Sequence, residues 1–327
     1  MAPLPSYDDV VDAAQLLNGE AVITPLVESK AVNAQLGCRL LLKAEMLQRG
    51  GSFKFRGAYN YLSRLSAADK KRGVITFSSG NLAQGIALAA LALGVPATIV
   101  MPMDAPAIKI ANTRRAGAEV VLYDRRKETR EALTPRLAAE RDLIYDDPHE
   151  QRDMLIGYGT AGLEIAVQAE SVGAALDMML VPCSGGSLVG GCALGIARRF
   201  PDAAVYGVEP ESFDDTVRSF AAGHLVSNDM TARSICDGLL AVQPGEMPFA
   251  LNRTLLAGIL SVSDAEVMRA MALAFQEYKL VVEPSGAVAL AAVLAGKIDR
   301  SGKTIAVVCS GGSVDAAMFT NALATLQ

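Results

Sequence analysis

The sequence predicts an α/β protein built on parallel sheets. Short apolar runs rich in β-branched residues alternate with helical stretches, which is the order of strands joined by crossover helices. Hydrophobic residues make up 51% of the 327 residues and tryptophan is absent, so alanine, valine, leucine and isoleucine must form the core, as around a buried parallel sheet. The predicted strands span residues 39–43, 73–77, 97–101, 119–123, 178–182, 204–208 and 304–309.

The length of the chain and the position of its polar segments predict two domains. A chain of 327 residues is longer than one hydrophobic core usually serves. Three strand–helix units between residues 73 and 146 can close on themselves, and polar stretches at 64–71 and 146–151 flank them. We therefore expect a small α/β domain, residues 65–148, inserted into a larger domain made of residues 1–64 and 149–327. A cleft between two such domains is the usual place for a ligand.

Several residues predict where helices begin and end. Gly117 follows the helical pattern of residues 107–116 and is expected to cap its carboxyl end, and Asp264 is expected to cap the amino end of the helix that runs to residue 275. Gly94 and Pro96 interrupt the apolar segment 82–102, so this segment predicts a helix, a turn and a strand instead of a membrane span.

Charge and cysteine usage favour small-molecule chemistry in the cytoplasm. Thirty basic and 35 acidic residues give a net charge of −5 without a basic block, which argues against nucleic-acid binding. The amino terminus lacks a basic segment followed by an apolar one, so we expect no signal peptide. The cysteines lack C-x-x-C spacing, which indicates reduced thiols and no zinc site. They stand at positions 38, 183, 192, 236 and 309.

A lysine in an aromatic, glycine-flanked segment is the first candidate for chemistry. Residues 50–57 read Gly-Gly-Ser-Phe-Lys-Phe-Arg-Gly, so Lys54 lies between Phe53 and Phe55. Burial beside aromatic rings lowers the pKa of a lysine, and a neutral amine can attack an aldehyde to form an imine. The ordinary alternative is a lysine whose stem passes the rings and whose ammonium group reaches water.

Three further glycine-rich turns follow predicted strands. Ser-Gly-Gly-Ser occurs at 184–187 and again at 310–313, at the carboxyl ends of strands, where open α/β sheets bind ligands. The first copy leads into a helix, whose amino end suits a phosphate. Ser-Ser-Gly-Asn at 78–81 also opens a helix and suits a carboxylate. Taken singly, these turns also fit tight strand–helix connections and an ordinary serine cap.

In this order and at these separations, the lysine segment and the three turns resemble the fold-type II pyridoxal-phosphate enzymes. The resemblance is to the threonine/serine dehydratase and serine racemase family, and it covers nearly the whole chain. It implies a tryptophan synthase beta-like fold of two doubly wound α/β domains, with pyridoxal 5'-phosphate in the cleft. It also implies an amino-acid substrate and a homodimer. Further matching segments are 24–26, 146–148, 157–160, 207–211 and 283–287.

The resemblance implies a role for each residue of the motifs. Lys54 would bind the cofactor covalently and then take the α-proton of the substrate, and Ser79 would be the second acid/base on the opposite face. Phe53 would lie against the cofactor ring, Asn81 would contact its phenolic oxygen, and Ser310 would face its pyridine nitrogen. The implied cofactor-binding residues are Phe53, Lys54, Asn81, Ser184, Gly185, Gly186, Ser187, Leu188 and Ser310.

The resemblance also implies a substrate site and a cation site. The substrate carboxylate would lie on the turn at 78–81, with the next side chain beside the substrate; the implied substrate-binding residues are Ser78, Ser79, Gly80, Asn81 and Leu82. Glu209 and Asp215 match the family's ligands for a monovalent or divalent cation. An exposed acidic loop would look the same in the sequence. Neither His149 nor His224 lies in a motif, so a histidine base is not expected.

Departures from the family pattern bear on the substrate. Leu82 stands where family members usually have histidine, and Ser184 and Ser313 stand where they have glycine and asparagine. If Leu82 faces the cleft, it favours an apolar β-substituent, because burying an aromatic ring against it contributes roughly 2 kcal/mol. The alternative is that Leu82 only packs in its helix.

These observations predict a dehydratase of a β-hydroxy-α-amino acid. The products would be water, ammonia and an α-keto acid, and threo-phenylserine is the expected substrate. Dehydration of L-threonine or L-serine and racemisation of serine are alternatives within the family. A non-catalytic α/β ligand-binding protein is the alternative from another class, and it would not need Lys54.

Overall fold

The computed structural model describes residues 3–78, 80–105, 107–145 and 150–326. Within these residues the chain forms nine strands in two sheets, surrounded by helices. The strands are β1 (Leu26–Glu28), β2 (Arg39–Ala44), β3 (Val74–Phe77), β4 (Ala97–Pro102), β5 (Glu119–Tyr123), β6 (Met178–Pro182), β7 (Ala204–Pro210), β8 (Gly258–Val262) and β9 (Thr304–Cys309). The helices are α1 (Tyr7–Leu17), α2 (Lys30–Leu36), α3 (Lys54–Arg64), α4 (Ala67–Arg72), α5 (Asn81–Leu93), α6 (Ala107–Arg115), α7 (Arg130–Arg141), α8 (Arg152–Ser171), α9 (Ser187–Ile196), α10 (Asp215–Ala222), α11 (Glu246–Leu255), α12 (Asp264–Tyr278), α13 (Pro284–Leu294) and α14 (Ala316–Leu323).

The larger sheet has the strand order β1-β2-β9-β6-β7-β8. Only the short edge strand β1 runs antiparallel to its neighbour, and the other pairs are parallel. The inner strands β2, β6 and β9 are apolar along most of their length because both faces are covered by helices. Because the strands are parallel, β6, β7 and β9 end at one edge of the sheet, and the turns at 184–187 and 310–313 meet there.

The smaller sheet has the parallel order β3-β4-β5. Its own core includes Ile75, Phe77, Val100 and Leu133. The three strands lie between residues 74 and 123, inside the segment that the sequence assigns to the inserted domain. The boundaries at residues 64/65 and 148/149 stay a prediction, and the motif at 146–148 and His149 lie outside the described residues.

All seven predicted strands are confirmed to within two residues, but two further strands escaped prediction. β1 has only three residues, and β8 is a partly exposed edge strand. The predicted cap at Asp264 is wrong, since Ser263 caps α12. Its hydroxyl accepts from the Glu266 amide, and the Glu266 carboxylate accepts from the Ser263 amide. Gly117, which was expected to cap α6, lies two residues after its end and has a left-handed backbone, with φ of +87°.

Helices α8 and α9 cross at backbone contact, and this crossing positions the turn that precedes α9. A Cβ on Gly195 would lie 2.4 Å from the carbonyl oxygen of Gly159, and one on Gly162 would lie 2.3 Å from that of Cys192. Glycine on both helices therefore lets α8 and α9 approach each other closely. No helix in the described part of the chain is both long and apolar enough to span a bilayer.

Candidate active site

Backbone hydrogen bonds hold the lysine segment against the end of β9. The Phe53 amide donates to the Ser310 carbonyl at 3.1 Å, and the Gly312 amide donates to the Gly51 carbonyl at 3.0 Å. Lys54 is the first residue of α3 and directly follows this bridge. The structure therefore brings together the lysine motif and the second Ser-Gly-Gly-Ser turn, which are more than 250 residues apart in the sequence.

Aromatic rings surround the amine of Lys54. Its Nζ lies 4.6 Å from the ring centre of Phe53 and 5.4 Å from that of Tyr158. Burial lowers the pKa of Lys54 to about 8, and the negative charge of Glu283 opposes this shift. Phe55 packs on Tyr59 instead, so the second ring beside the amine is Tyr158. About a tenth of the amine is thus neutral at pH 7 and about half at pH 8.

Glycines let the aromatic ring and the next helix approach Lys54. A Cβ on Gly57 would lie 2.2 Å from the ring of Tyr158. A Cβ on Gly85 of α5 would lie 2.9 Å from the carbonyl carbon and Cβ of Lys54. The amino end of α5 is therefore held close to the amine.

The turn before α5 offers hydrogen-bond donors to an anion. The Ser78 hydroxyl accepts from the Gly80 amide at 3.1 Å, which closes the turn. Among the described residues no side chain caps α5, and the first amides of any helix lack an intrahelical partner. Ser79, the predicted second acid/base, lies outside the described residues. The described part of the turn suits the carboxylate that the sequence predicts there.

A buried carboxylate contacts Asn81 at the amino end of α5. Asn81 Nδ2 donates to Glu283 Oε1 at 2.6 Å, while Asn81 Oδ1 is buried without a hydrogen-bond partner among the described residues. Burial, and then the charge of Asp237, raise the pKa of Glu283 to about 7. Sequence reasoning used Glu283 only as part of a matching segment and gave it no role.

Hydrogen bonds to its carbonyl groups hold the turn at 184–187 in place. Asn252 Nδ2 donates to the Gly186 carbonyl at 3.0 Å, and the Gly245 amide donates to the Gly185 carbonyl at 3.1 Å. Gly186 is left-handed, with φ of +92°, and α9 begins at Ser187 without a capping side chain from the described part of the structure. The free amides at the start of α9 suit a phosphate group. Asn252 was not predicted, because its contact with the turn comes from a distant helix.

Together these groups fit pyridoxal phosphate. The amine of Lys54 can bind an aldehyde, the amides at the start of α9 can hold a phosphate, and the unpartnered Asn81 Oδ1 needs a hydrogen-bond donor. Ser310 is buried at the end of β9, beside the lysine segment. Leu188 is also buried, directly after the phosphate turn.

Two basic side chains lie on the elements around the site. The guanidinium carbon of Arg130, at the start of α7, lies 4.7 Å from the ring centre of Phe77. Phe77 ends β3 and directly precedes the turn at 78–81. Lys109 Nζ lies 3.2 Å from Asp237 Oδ2. The positive charge of Lys109 acts to lower the pKa of Glu283. Neither cation was predicted from the sequence, because neither belongs to a glycine-rich motif.

Leu82 is half-buried and packs against the hydrophobic core around α3, α5 and α8. It is the second residue of α5, directly after Asn81. The side chain therefore has a packing role, and the residue directly follows the substrate turn.

The predicted cation ligands form a buried acidic pair. The Glu209 carboxylate accepts from the amides of Thr216 and Val217 at 3.1 Å, and Asp215 Oδ1 accepts from Asn228. Burial raises the pKa of Asp215 to about 6, and burial with the Asp215 charge raises that of Glu209 well above its usual value. Asp215 Oδ2 is buried without a partner among the described residues. Over the same residues, no group of three or more His, Cys, Asp and Glu side chains is placed to hold a metal.

Comparisons with known proteins agree with this geometry. A family model described as "Pyridoxal-phosphate dependent enzyme" matches residues 18–311. An L-threo-3-hydroxyaspartate ammonia-lyase from a Pseudomonas species is 44% identical over 98% of this chain and 99% of its own length. A serine racemase from Schizosaccharomyces pombe is 40% identical over 98% of each chain. A solved threonine deaminase from T.th. superposes with a TM-score of 0.89 at 40% identity, covering 95% of this chain and 99% of its own.

Proposed function

Since this chain belongs to the family of pyridoxal-phosphate-dependent enzymes, we propose that its substrate is a β-hydroxy-α-amino acid with a second carboxylate, such as threo-3-hydroxyaspartate. The family, the fold type and the cofactor predicted from the sequence are thereby confirmed. The chain is an ammonia-lyase of hydroxy-amino acids. Which hydroxy-amino acid it prefers is the part that we propose.

Different residues of the site accept the proton and bind the substrate during the elimination. Bound pyridoxal phosphate supplies the electron sink that stabilises the charge left on Cα when its proton departs. With a pKa of about 8, Lys54 Nζ is neutral in a large share of molecules at pH 8, so it can accept this proton. The turn at 78–81 holds the α-carboxylate, which orients the Cα–H bond. Loss of the β-hydroxyl as water leaves an enamine, whose hydrolysis releases ammonia and the keto acid.

The location of Arg130 carries the proposal of a second carboxylate. Its guanidinium stacks on Phe77, one residue before the turn that would hold the α-carboxylate. Its side chain is 43% exposed, and its partner Glu131 is an adjacent residue, so the guanidinium is accessible to a ligand. A guanidinium binds a carboxylate through two parallel hydrogen bonds. The hydroxyaspartate ammonia-lyase relative supports the same substrate.

Threo-phenylserine is the second candidate, and Leu82 is the observation that favours it. Leu82 is only half-buried and directly follows the substrate turn, so we expect it to contact an aromatic β-substituent. L-Threonine, L-serine and serine racemisation are the remaining alternatives, and the threonine deaminase and serine racemase relatives support them.

Keto-acid release from four substrates at equal concentration tests the proposal. We expect threo-3-hydroxyaspartate to give the highest kcat/KM, followed by phenylserine, L-threonine and L-serine. Arg130→Met should lower kcat/KM for hydroxyaspartate by about 10- to 100-fold, as for a lost charge-assisted hydrogen bond. Phenylserine turnover serves as the matched control and should hardly change.

Other outcomes would identify another substrate. The wild type could instead prefer phenylserine and lose this preference in Leu82→His. This result would identify phenylserine as the substrate and refute hydroxyaspartate. Chiral analysis of the remaining serine measures racemisation, and D-serine in excess of keto acid would replace both proposals.

A non-catalytic binding protein is distinguished by Lys54→Ala. The variant should lose the absorbance of the lysine-linked cofactor and all turnover, while it keeps a folded far-UV circular dichroism spectrum. Unchanged absorbance in Lys54→Ala would contradict the assignment of the lysine.

The acidic pair supports the separate proposal of a cation near the phosphate turn. Glu209 and Asp215 are both buried, and Asp215 Oδ2 needs a partner. Hard oxygen ligands suit Mg²⁺, Ca²⁺ or a monovalent cation. Titration with each ion should raise the melting temperature of the wild type but not of Asp215→Asn, and no response to any ion would refute the site.

A further inference from the structure

Glu283 connects the two sheets directly at the site. It precedes α13, near the end of β9, and its carboxylate reaches Asn81 of α5, which follows the smaller sheet's β3. Glu283 is only 4% exposed. The Glu283 amide donates to the Gly311 carbonyl at 3.0 Å, and a Cβ on Gly311 would lie 2.1 Å from Glu283 Oε1. The turn after β9 therefore leaves room for this carboxylate only because residue 311 is glycine.

Charged groups from several elements face the Glu283 carboxylate. Asp237, in the turn at 237–239, opposes its ionisation, and Lys109 of α6 favours it. Lys109 and Asp237 are themselves an ion pair at 3.2 Å. The negative charge of Glu283 also acts on the Lys54 amine, whose pKa it raises against the effect of burial. The backbone amide of Ser313 also donates to the carboxylate, and the buried thiol of Cys236 is a further titratable neighbour.

An ionised Glu283 is unfavourable for folding. Its pKa is raised from 4.5 to about 7, mainly by burial. Because the folded-state pKa lies above the unfolded value, its contribution to stability is fully present below about pH 4.5 and is lost as the pH rises through 7. A buried carboxylate that destabilises the fold at neutral pH, beside the reactive amine, suggests a functional role.

We propose that Glu283 is a positioning residue, whose carboxylate holds the Asn81 amide in place at the cofactor ring, and that the Lys109–Asp237 pair controls its charge. The inference rests on the proposed function, because it takes Asn81 to contact the bound cofactor. Asn81 has one Nδ2–H bound to Glu283, which leaves the second N–H and Oδ1 for the ligand. A fixed amide presents these two groups in one orientation. The pair matters because its two charges act on the ionisation of Glu283 in opposite directions.

Glu283→Gln tests this role with four readouts. We expect kcat to fall by about 10-fold or more with KM changed by less than about threefold, because positioning of the reacting atoms is lost while carboxylate binding is kept. The acid limb of the kcat profile near pH 7 should disappear. The absorbance spectrum of the bound cofactor should change. The melting temperature of the cofactor-free protein at pH 8 should stay equal or rise, since a buried charge is removed.

The ion pair provides a test that does not alter Glu283. Asp237→Asn should move the acid limb to lower pH, and Lys109→Met should move it to higher pH. Shifts in opposite directions are expected only if both charges act on one titrating group. Shifts in the same direction, or none, would overturn the assignment even if Glu283→Gln failed to fold.

A double-mutant cycle decides whether Glu283 acts through Asn81. Adding Glu283→Gln to Asn81→Ala should cause little further loss of kcat if the two residues work as one unit. Full additivity would overturn the inference. Failure of the wild type to bind pyridoxal phosphate would instead refute the proposed function, so the two failures are distinguishable.

Discussion

The amine of Lys54 is reactive because the side chains around it exclude water. The rings of Phe53 and Tyr158 replace water around Nζ, and the negative charge of Glu283 only partly restores the ammonium form. A lysine with a pKa of about 8 is neutral often enough to form a covalent link with an aldehyde at physiological pH.

The pH dependence of cofactor attachment follows from this pKa. The rate at which cofactor-free protein binds pyridoxal phosphate covalently should rise with pH and reach half its maximum near pH 8, because only the neutral amine attacks. Stopped-flow absorbance measures this rate, with Lys54→Ala as the blank. A midpoint near 10.5, the ordinary lysine value, would contradict the described environment of the amine.

Residues in contiguous motifs could be predicted from the sequence, whereas those that join the site from distant segments could not. Lys54, Asn81 and the turn at 184–187 were found because glycines and hydroxyls cluster beside them. Asn252 and Glu283 act through contacts with residues 66 and 202 positions away, which no local pattern encodes. The role of Ser79 stays a prediction.

Among the elements, the crossing of α8 and α9 determines where the phosphate turn lies. Gly195→Ala would place a Cβ against the Gly159 carbonyl and force the helices apart, at a cost of about 1–3 kcal/mol in the free energy of unfolding. The affinity for pyridoxal phosphate should fall as well. Chemical denaturation and cofactor titration measure the two effects.

Gly258→Ala is the matched control for this substitution. A Cβ there meets the Tyr206 ring at 3.6 Å, an ordinary contact, and its φ is not positive. Equal stability loss in the two variants would show that backbone contact between α8 and α9 is not the cause.

A buried charge network fixes the helix that carries Lys54. Arg56 of α3 pairs with Glu45 at 2.8 Å and with Glu164 of α8 at 2.6 Å, and Lys43 of β2 also pairs with Glu164 at 2.6 Å. Burial disfavours each charge, but the two carboxylates keep the pKa of Arg56 above its usual value. The network links β2, α3 and α8 beneath the site.

Arg56→Met should therefore destabilise the protein strongly. It leaves Glu45 buried without its cationic partner, and breaking such a pair costs about 3–5 kcal/mol. The control is Arg136→Met, which breaks ion pairs of exposed side chains and should change the free energy of unfolding by less than about 1 kcal/mol. Similar values for both variants would contradict a structural role for the network.

Strand prediction succeeded where apolar runs were long and flanked by turn residues. β1 and β8 were missed because an edge strand of three residues and a strand with mixed exposure lack a hydrophobic period. The first residue of α12 was mispredicted for a local reason, since Ser263 and Asp264 are both favourable caps. Only the reciprocal hydrogen bonds between Ser263 and Glu266 distinguish them.

At the scale of the whole molecule, the site lies where the two sheets meet. The larger sheet contributes the phosphate turn and the turn after β9, and the smaller sheet's β3 leads to the substrate turn. Asn81–Glu283 and Lys109–Asp237 join these two parts. The order of strands was not predictable from the sequence, because pairing between β2, β9 and β6 joins segments far apart in the chain.

Exposed apolar residues offer a candidate interface for the homodimer that the family resemblance predicts. Val22, Ile23 and Leu47 are 41%, 71% and 50% exposed, and the hydrogen bonds between Gln48 and the Val22 backbone bring the two segments together. Sedimentation equilibrium should give twice the mass of the chain, and Ile23→Glu should shift the protein toward the monomer. A monomeric wild type would contradict the predicted dimer, and a dimeric Ile23→Glu variant would exclude this surface.

The most direct test of the central claim is to locate the cofactor on the chain. Borohydride reduction of the cofactor-loaded protein, followed by digestion and mass spectrometry, should place the phosphopyridoxyl group on Lys54 and on no other lysine. Attachment to another lysine, or a fully loaded protein with Lys54 unmodified, would contradict the account of the site.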